Sequence, residues 1–184
     1  MARPRQFSRE GVLEKALPVF WKHGFAATSL QELERATGVN KSGLYSEFSG
    51  KEELFLESLR FYLDRLPSLA FLTAEPLGWH NIEQFLKLGP GTTEGQKGCF
   101  AISSMRELAI LPAASMDMLG HSRNQLKQLI VKNIEAEKPK AAAHDLASMV
   151  MTFFAGLSVE QVLKPSRASI GRKVDNLMHV LRNM

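Results

Sequence analysis

The residues between positions 28 and 51 include several hydroxyl and ammonium side chains, which can donate hydrogen bonds to phosphate oxygens or base edges. Thr28 and Ser29 come directly before a predicted helix. Free backbone N–H groups and the positive end of the helix dipole lie at such a position, and both favour a bound phosphate. The same pair also fits a simple N-cap, and the two roles are compatible.

Three further basic residues add to this pattern. Lys51 lies in the first turn of a predicted helix, where its charge opposes the helix dipole. A nearby phosphate would remove that conflict, although an ordinary exposed lysine fits the position equally well. Arg3 and Arg5 precede the first predicted helix. They suit an arm that reaches phosphates or the minor groove, and they suit a solvated basic tail as well.

A short predicted helix near position 45 carries the side chains best placed to read base edges or contact phosphates. These are Lys41, Ser42, Leu44 and Tyr45. Gly43 in the same helix costs about 1 kcal/mol relative to alanine, so its lack of a side chain must serve another purpose. Close approach of the backbone to DNA is one explanation, and close packing against another helix is the other.

The elements that must position these residues are helices joined by glycine turns. Ser29 and Glu32 match the capping-box spacing, which predicts a helix start at Leu30. Gly38 ends that helix and opens a tight turn before the next one. Two short helices around such a turn, preceded by a longer helix, form the helix-turn-helix layout. Ser49 and Glu52 match the capping-box spacing again and predict the start of a fourth helix.

Apolar residues recur at helical spacing along almost the whole chain, and strand-like alternation is nearly absent. The sequence therefore predicts an all-α fold. The expected helices cover residues 8–23, 30–37, 41–48, 49–66, 81–88, 100–110, 112–137, 141–163 and a last segment that begins at 165–166.

Three segments, GFAATSL at 24–30, GVNKSGLY at 38–45 and FSGKEEL at 48–54, resemble the N-terminal signature of the TetR (tetracycline-repressor) family. The resemblance implies an N-terminal three-helix DNA-binding domain over residues 1–50 and a helical ligand-binding and dimerisation domain over 51–184. It further implies that Thr28 and Lys51 contact phosphates, that residues 42–45 face the operator, and that Phe48 packs in the small domain's core.

Glu47 departs from that signature, since it places an acid near the DNA-facing end of the helix. It would repel phosphate, or it would accept a hydrogen bond from cytosine. Residues 1–51 stay positive despite it, with eight Lys or Arg against five Glu.

The predicted helix over 141–163 is apolar around most of its circumference, which is more than one core face requires. A fully buried central helix would explain this, and so would a dimer interface. The resemblance favours a four-helix interface built from this helix and the last one, and a two-fold dimer would require a palindromic operator. The residues expected there are Phe153, Phe154, Leu157, Val174, Leu177, Met178 and Leu181.

Aromatic and methionine side chains of the middle helices are candidates to line an apolar ligand pocket, although residues at these spacings are often plain core. The resemblance implies that a small-molecule effector binds there and favours a dimer whose recognition helices no longer match the operator. The candidates are Phe61, Tyr62, Leu66, Trp79, Phe85, Cys99, Met105, Leu108, Met116, Leu119 and Met149.

Composition limits the other possibilities. The net charge of +4 permits an anionic partner, and a single cysteine excludes an internal disulfide framework. Cys99 follows a Lys-Gly pair at a predicted helix start, so it fits a redox or electrophile sensor as well as a buried inert thiol. Asp117 and His121 have metal-compatible spacing but lack a third ligand, so no metal and no cofactor are expected. No apolar stretch of about 20 residues was found, so we expect a cytoplasmic protein without a membrane span.

Three functional classes compete on this sequence. The first is a ligand-controlled transcriptional regulator, usually a repressor, which binds an operator in double-stranded DNA as a homodimer. The second is an enzyme. The sequence contains no nucleophile elbow, phosphate loop, zinc signature or carboxylate pair, which argues against this class. The third is a helical interaction module whose helix-turn-helix is purely structural. Binding to one palindrome but not to scrambled DNA separates the first class from the third.

Overall fold

A computed structural model describes residues 7–89, 96, 98–163 and 166–184, and these residues form helices and turns without a strand. The all-α prediction is confirmed. The chain divides into two compact units. Unit 1 comprises residues 1–65 together with 103–119, and unit 2 comprises residues 66–102 together with 120–184. The functional boundary expected near residue 50 remains a prediction.

Unit 1 contains the first four helices: α1 (Arg9–Ala27), α2 (Leu30–Thr37), α3 (Lys41–Glu47) and α4 (Lys51–Leu63). Apolar faces of all four helices meet in one core, in which the rings of Phe20 and Phe25 pack edge-on against Phe55, with centroids 5.3 and 5.2 Å away. Phe48 is 2% exposed, as the family resemblance implied. The core of this unit includes Val12, Ala16, Leu33, Leu44, Leu54 and Leu59.

Local capping residues explain where α1 begins and breaks. The Ser8 side chain accepts a hydrogen bond from the backbone N–H of Gly11 at 3.0 Å, as expected for an N-cap. Gly24 has φ 80° and ψ 176° inside α1, a conformation that only glycine adopts readily. The helix is therefore interrupted at Gly24, where the sequence predicted its end, and Phe25 starts a separate short turn.

The start of α4 corrects one prediction. Its N-cap is Gly50, and the Ser49 side chain makes no capping hydrogen bond. The carboxylate that reaches back belongs to Glu53 instead of Glu52, and it accepts from the backbone N–H of Ser49 at 2.7 Å. The predicted Ser49 capping box is thus wrong by one residue, because Gly50 takes the extended backbone of the cap itself.

Unit 2 contains α5 (Leu69–Leu72), α6 (Trp79–Leu88), α9 (Ala143–Glu160) and α10 (Arg167–Arg182), while α7 (Phe100–Ser104) and α8 (Ala114–Ala136) contain the boundary between the units. Helix α5 was not predicted, and α7 is shorter than the predicted 100–110 because a 3-10 turn, Met105–Glu107, follows it. The core of unit 2 joins α6, α8, α9 and α10 through apolar side chains that include Ile82, Phe85, Ile130, Ile134, Leu146 and Val150.

A buried amide network fixes the connection between α5 and α6. The Asn133 side chain is fully buried and donates to the carbonyls of Leu72 and Leu129 at 2.9 Å each. Its Oδ1 accepts from the N–H of Gly78 at 3.0 Å and from Asn81 Nδ2 at 2.9 Å. All hydrogen-bonding groups of this amide are paired, which is the condition under which a buried polar group stabilises a core.

Residues 143–163, which comprise α9 and the 3-10 turn after it, are long and apolar enough to span a membrane by length and composition alone. The test is met by length and composition only, so it does not contradict the expectation of a protein without a membrane span. Core helices pass the same test, and Leu146, Val150 and Phe154 of α9 lie in the core of unit 2.

Candidate nucleic-acid interface

The turn between α2 and α3 is held by local hydrogen bonds that the sequence largely encodes. Gly38 adopts the left-handed conformation with φ 74°, and its N–H donates to the Glu34 carbonyl at 2.9 Å. Thr37 Oγ1 accepts from the N–H of Val39 at 3.2 Å. Asn40 caps α3 by accepting from the N–H of Gly43 at 2.8 Å. These contacts fix the angle at which α3 leaves the turn.

Helix α3 has one face in the core and one face in solvent. Leu44 is 1% exposed and packs in the core of unit 1. The prediction that Leu44 contacts DNA is therefore wrong, because its side chain has no access to a duplex. Tyr45, the next residue, is 44% exposed. The outward face, which we call the α3 face, consists of Lys41, Ser42, Tyr45 and Ser46.

Gly43 lies at the edge of the α3 face, and its missing side chain has an internal explanation. A Cβ atom at this position would lie 2.7 Å from Val39 Cγ1 and 3.3 Å from the ring of Phe7. Val39 is buried, so it cannot move away easily. Of the two explanations for Gly43, close packing within unit 1 is the one for which the structure supplies contacts.

The start of the α3 face combines a free ammonium group with a capped backbone. The N–H of Lys41 donates to the Glu34 carboxylate. Lys41 Nζ lies 5.7 Å from the centroid of the Tyr45 ring, one helical turn further on. The cation is thus held beside the tyrosine by a cation–π contact while its N–H groups stay in solvent.

Thr28 and Lys51 have internal partners in this structure. Thr28 is 1% exposed, and its Oγ1 donates to the Gly24 carbonyl at 2.5 Å. Lys51 Nζ donates to the carbonyls of Phe25 at 2.9 Å and Thr28 at 3.0 Å. The expected phosphate contact of the Thr28 side chain needs correction, since that side chain is buried. For Lys51 a phosphate contact stays a prediction, because an ammonium group has three N–H donors and two are used.

Ser29 remains on the surface at the start of α2. Its Oγ accepts from the N–H of Glu32 at 3.3 Å, and Glu32 accepts from the N–H of Ser29 at 2.8 Å, which confirms the predicted capping box. The N–H of Ser29, followed by its hydroxyl, lowers the pKa of the Glu32 carboxyl below its usual value. Arg3 and Arg5 lie outside the described residues.

Arg9 joins three elements of the unit. It donates to the Glu47 carbonyl and, at 2.9 Å, to the Glu53 carboxylate, and its guanidinium lies 4.3 Å above the centre of the Phe48 ring. The Ser49 N–H and Arg9 together lower the pKa of Glu53 to about 2. This link holds the end of α3 against the starts of α1 and α4.

One long-range contact of this unit was not predicted from the sequence. Glu107, in the 3-10 turn after α7, accepts hydrogen bonds from the N–H groups of Phe25 at 2.7 Å and Ala26 at 3.1 Å. The partners are separated by 82 and 81 residues, so no local pattern could reveal the contact.

The candidate pocket residues do not share one environment. Phe85 is 1% exposed in the core of unit 2 and stacks on Phe154 with ring centroids 4.8 Å apart, whereas Met116 and Met149 are 60% and 39% exposed. Trp79, Cys99, Leu119 and Tyr62 are buried, while Phe61, Leu66, Met105 and Leu108 are partly buried. The ligand pocket therefore stays a prediction.

Most of the residues expected at a dimer interface are core residues of unit 2. Phe154, Leu157, Val174, Met178 and Leu181 are at most 7% exposed and belong to one hydrophobic cluster, while Phe153 and Leu177 are partly buried against it. Five of the seven side chains therefore have no surface to offer a second chain. The outward side of α9 carries a different set, spaced as a helix interface requires: Met149, Thr152, Gly156 and Val159.

Cys99 and the acidic and histidine side chains form no recognisable reactive centre within the described residues. No group of three His, Cys, Asp or Glu side chains is arranged to hold a metal there. Cys99 is buried, and Gly98 before it approaches α9 so closely that a Cβ would lie 2.5 Å from the Ser158 carbonyl.

Two well-capped short helices, a left-handed glycine between them and an exposed polar face on the second define a helix-turn-helix protein. The sequence profile described as "Bacterial regulatory proteins, tetR family" matches residues 12–58, which span α1 to α4. The N-terminal part of the chain, residues 12–58, thus matches the TetR family.

Curated relatives match over about a third of this chain. The HTH-type transcriptional repressor ComR of Escherichia coli K12 is 49% identical over 63 residues, which cover 34% of this chain and 30% of ComR. The HTH-type transcriptional activator FasR of Mycolicibacterium smegmatis is 38% identical over 65 residues, or 35% of this chain and 30% of FasR. Each match thus spans about a third of the relative's length.

A solved structure extends the likeness to both units. A cysteine-substituted form of the TetR-family transcriptional regulator CifR, in complex with 26-bp double-stranded operator DNA, superposes with a TM-score of 0.86. The two chains are 25% identical, and the alignment covers 98% of this chain and all of that one.

Proposed function

We propose that this protein is a transcriptional regulator that binds a palindromic DNA operator as a homodimer through the α3 face. One observation carries the proposal: a buried Leu44 anchors α3, while Lys41, Ser42 and Tyr45 beside it stay exposed. An anchored helix with donors along its outer face is what major-groove reading requires. The operator complex of CifR and the names of ComR and FasR support the same function.

The chemistry of the α3 face suits two kinds of contact. Lys41 is free to neutralise a phosphate, and the Ser42 and Tyr45 hydroxyls can donate to phosphate or pair with base edges. A helix of seven residues reaches only a few base pairs. Specific recognition therefore calls for two copies of α3, one helical turn of DNA, or about 34 Å, apart.

The second copy is best accommodated on the outward stripe of α9. Met149, Thr152, Gly156 and Val159 follow heptad-like spacing, and Val159 is 61% exposed. Exposed apolar and small residues in one stripe allow two helices to approach closely. Val180 of α10, 49% exposed, adds an apolar side chain from the other helix that family resemblance assigns to the interface.

A small-molecule effector would control this dimer. The effector must bind the released state more tightly than the operator-bound state, or the equilibrium does not shift. Release by an effector corresponds to a repressor, as ComR is named, whereas FasR is named an activator. A regulator that acts on chromosomal DNA in this way would work in the cytoplasm.

The alternative is a helical interaction module with a purely structural helix-turn-helix. Its supporting observation is that Thr28 and Lys51 are used internally. An enzymatic function gains no support, because the relatives named above are transcriptional regulators.

Selection of bound sequences from a random DNA pool at near-physiological salt tests the proposal. We expect purified full-length protein to enrich a two-fold palindrome. Folded protein that enriches no sequence would overturn sequence-specific regulation and favour the interaction module.

Sedimentation analysis of Val159→Glu tests the dimer surface, with Met116→Glu as the matched control because Met116 is 60% exposed in unit 1. A buried charge at the interface should convert the first variant to monomers and leave the second a dimer. Equal behaviour of the two variants would contradict the assignment. Phe154→Glu is unsuitable, since it would disrupt the core.

A further inference from the structure

The turn from Gly24 to Thr28, which connects the two parts of α1 to the start of α2, is held by side chains from distant elements. Lys51 of α4 donates to the Phe25 and Thr28 carbonyls, and Glu107 accepts from the N–H groups of Phe25 and Ala26. A cation binds the carbonyl side of the turn and an anion binds its N–H side. We call these residues and their two charged partners the 24–28 clamp.

The break at Gly24 creates the need for Glu107. A helical turn that starts afresh leaves its first N–H groups without carbonyl partners, and here these are the N–H groups of Phe25 and Ala26. A carboxylate that accepts from both satisfies them with charge-assisted hydrogen bonds.

Gly24 also leaves the space that the Glu107 carboxylate occupies, because it has no side chain. A Cβ at this position would lie 2.5 Å from Glu107 Oε2 and 2.9 Å from Cδ, which is closer than carbon atoms approach. The positive φ of Gly24 and the approach of Glu107 therefore belong to one arrangement. The carboxylate comes from a residue 82 positions after Phe25, so the contact is a tertiary one.

We infer that Glu107 is a positioning residue for DNA reading, through which the segment 103–119 sets the orientation of α2 and α3. The inference rests on the proposed function. It assigns to this segment a direct mechanical connection to the helix-turn-helix, since the 24–28 clamp lies immediately before α2. Met105 and Leu108, two of the candidate pocket residues, flank Glu107 in the chain.

The variant Glu107→Gln tests the inference, because it keeps the size of the side chain but loses the second acceptor and the charge. Removing a negative charge should by itself strengthen binding to any DNA. Glu135→Gln, an exposed glutamate on α8, is therefore the matched charge control. The measured quantity is the affinity for the selected palindrome divided by the affinity for scrambled DNA of equal length.

We expect Glu107→Gln to lower this ratio about tenfold, which corresponds to the loss of one charged hydrogen bond. Affinity for scrambled DNA should not fall, and Glu135→Gln should leave the ratio unchanged. A merely structural role would lower both affinities in parallel with the melting temperature, and that result overturns the inference. A ratio equal to that of Glu135→Gln also overturns it.

Amide hydrogen exchange, measured without DNA, supplies a second test. The Phe25 and Ala26 amides should be protected in the wild type, and at least one of them should lose protection in Glu107→Gln, which keeps a single acceptor oxygen, while the Leu33 amide within α2 stays protected. Unprotected Phe25 and Ala26 amides in the wild type would overturn the inference. Wild-type protein without operator preference would overturn the proposed function instead, so the two failures are distinguishable.

Discussion

Two connecting segments of this protein are each held by side chains from distant parts of the chain, and they use opposite chemistry. In unit 1 the 24–28 clamp uses full charges, Lys51 and Glu107, both partly exposed. In unit 2 the connection before α6 uses neutral amides, Asn133 and Asn81, both buried. Both arrangements satisfy backbone groups that helices leave unpaired.

The difference in chemistry indicates which of the two connecting segments can change its hydrogen-bond partners. A buried neutral amide with every hydrogen bond made has no alternative partner, since water cannot reach it. Partly exposed charges can exchange their protein partners for water or for another ion at small cost. A fixed connection in unit 2 and an adjustable one before α2 fit a protein in which the DNA-binding helices change position.

The largest effect should come from Asn133. We expect Asn133→Ala to lower the free energy of unfolding by about 3 kcal/mol, because it leaves the Gly78 N–H, the Leu72 carbonyl and the Asn81 amide short of partners. Urea denaturation measures the change. Asn124→Ala, an exposed asparagine on the same helix, is the control and should cost under about 0.5 kcal/mol. Equal losses would remove the special role of the network.

A smaller and salt-dependent loss should follow from Lys51. We expect Lys51→Ala to cost about 1–2 kcal/mol, since two carbonyls lose a charged donor that is only partly buried. Lys41→Ala, which removes an exposed ammonium, should cost under about 0.5 kcal/mol. Comparison at low and high salt sharpens the contrast with Asn133→Ala, which salt should not affect. A Lys51 loss that equals the Lys41 loss would argue against the clamp.

The capping box of α2 should contribute less again. Ser29→Ala removes the acceptor for the Glu32 N–H and should cost about 1 kcal/mol in the same denaturation experiment. Ser42→Ala, on the exposed side of α3, provides the control. If Ser29→Ala is as stable as the control, water replaces the Ser29 hydroxyl as acceptor for the Glu32 N–H without loss of stability.

The charged contacts of unit 1 also predict a pH dependence. Folding lowers the pKa of Glu53 from about 4.5 to about 2, so this carboxylate contributes stability that is complete above pH 4.5 and is lost as the pH falls towards 2. The stability difference between wild type and Glu53→Gln should therefore shrink across this interval. Glu52→Gln, an exposed neighbour, is the control for the loss of one carboxylate from the start of α4. A difference independent of pH would contradict the assigned ionisation.

Local signals made the start of the chain readable from its sequence. Ser29 and Glu32 place the beginning of α2, and Gly38 places its end, because capping and left-handed turns depend on residues only a few positions apart. The family signature extends over the same residues. These signals were sufficient to predict that the Tyr45 side chain lies on the outer face of α3, where it is exposed.

Tertiary contacts account for what the sequence could not predict. Helix α3 has only seven residues, too few for apolar periodicity to separate Leu44 from its exposed neighbours. Helix α9 is apolar on most sides, so only its packing partners reveal that Phe154 faces the core and Val159 faces outward. The Glu107 contact joins residues more than 80 positions apart, and no spacing rule encodes it.

Titration of the selected palindrome with full-length wild-type and Tyr45→Ala protein, with the mass of each complex measured, tests the central claim most directly. The account predicts two protomers on each palindrome, and at least about tenfold weaker binding by Tyr45→Ala with unchanged affinity for scrambled DNA. Equal operator affinity of the two proteins, or a complex with a single protomer, would contradict the claim that a pair of α3 faces reads the operator.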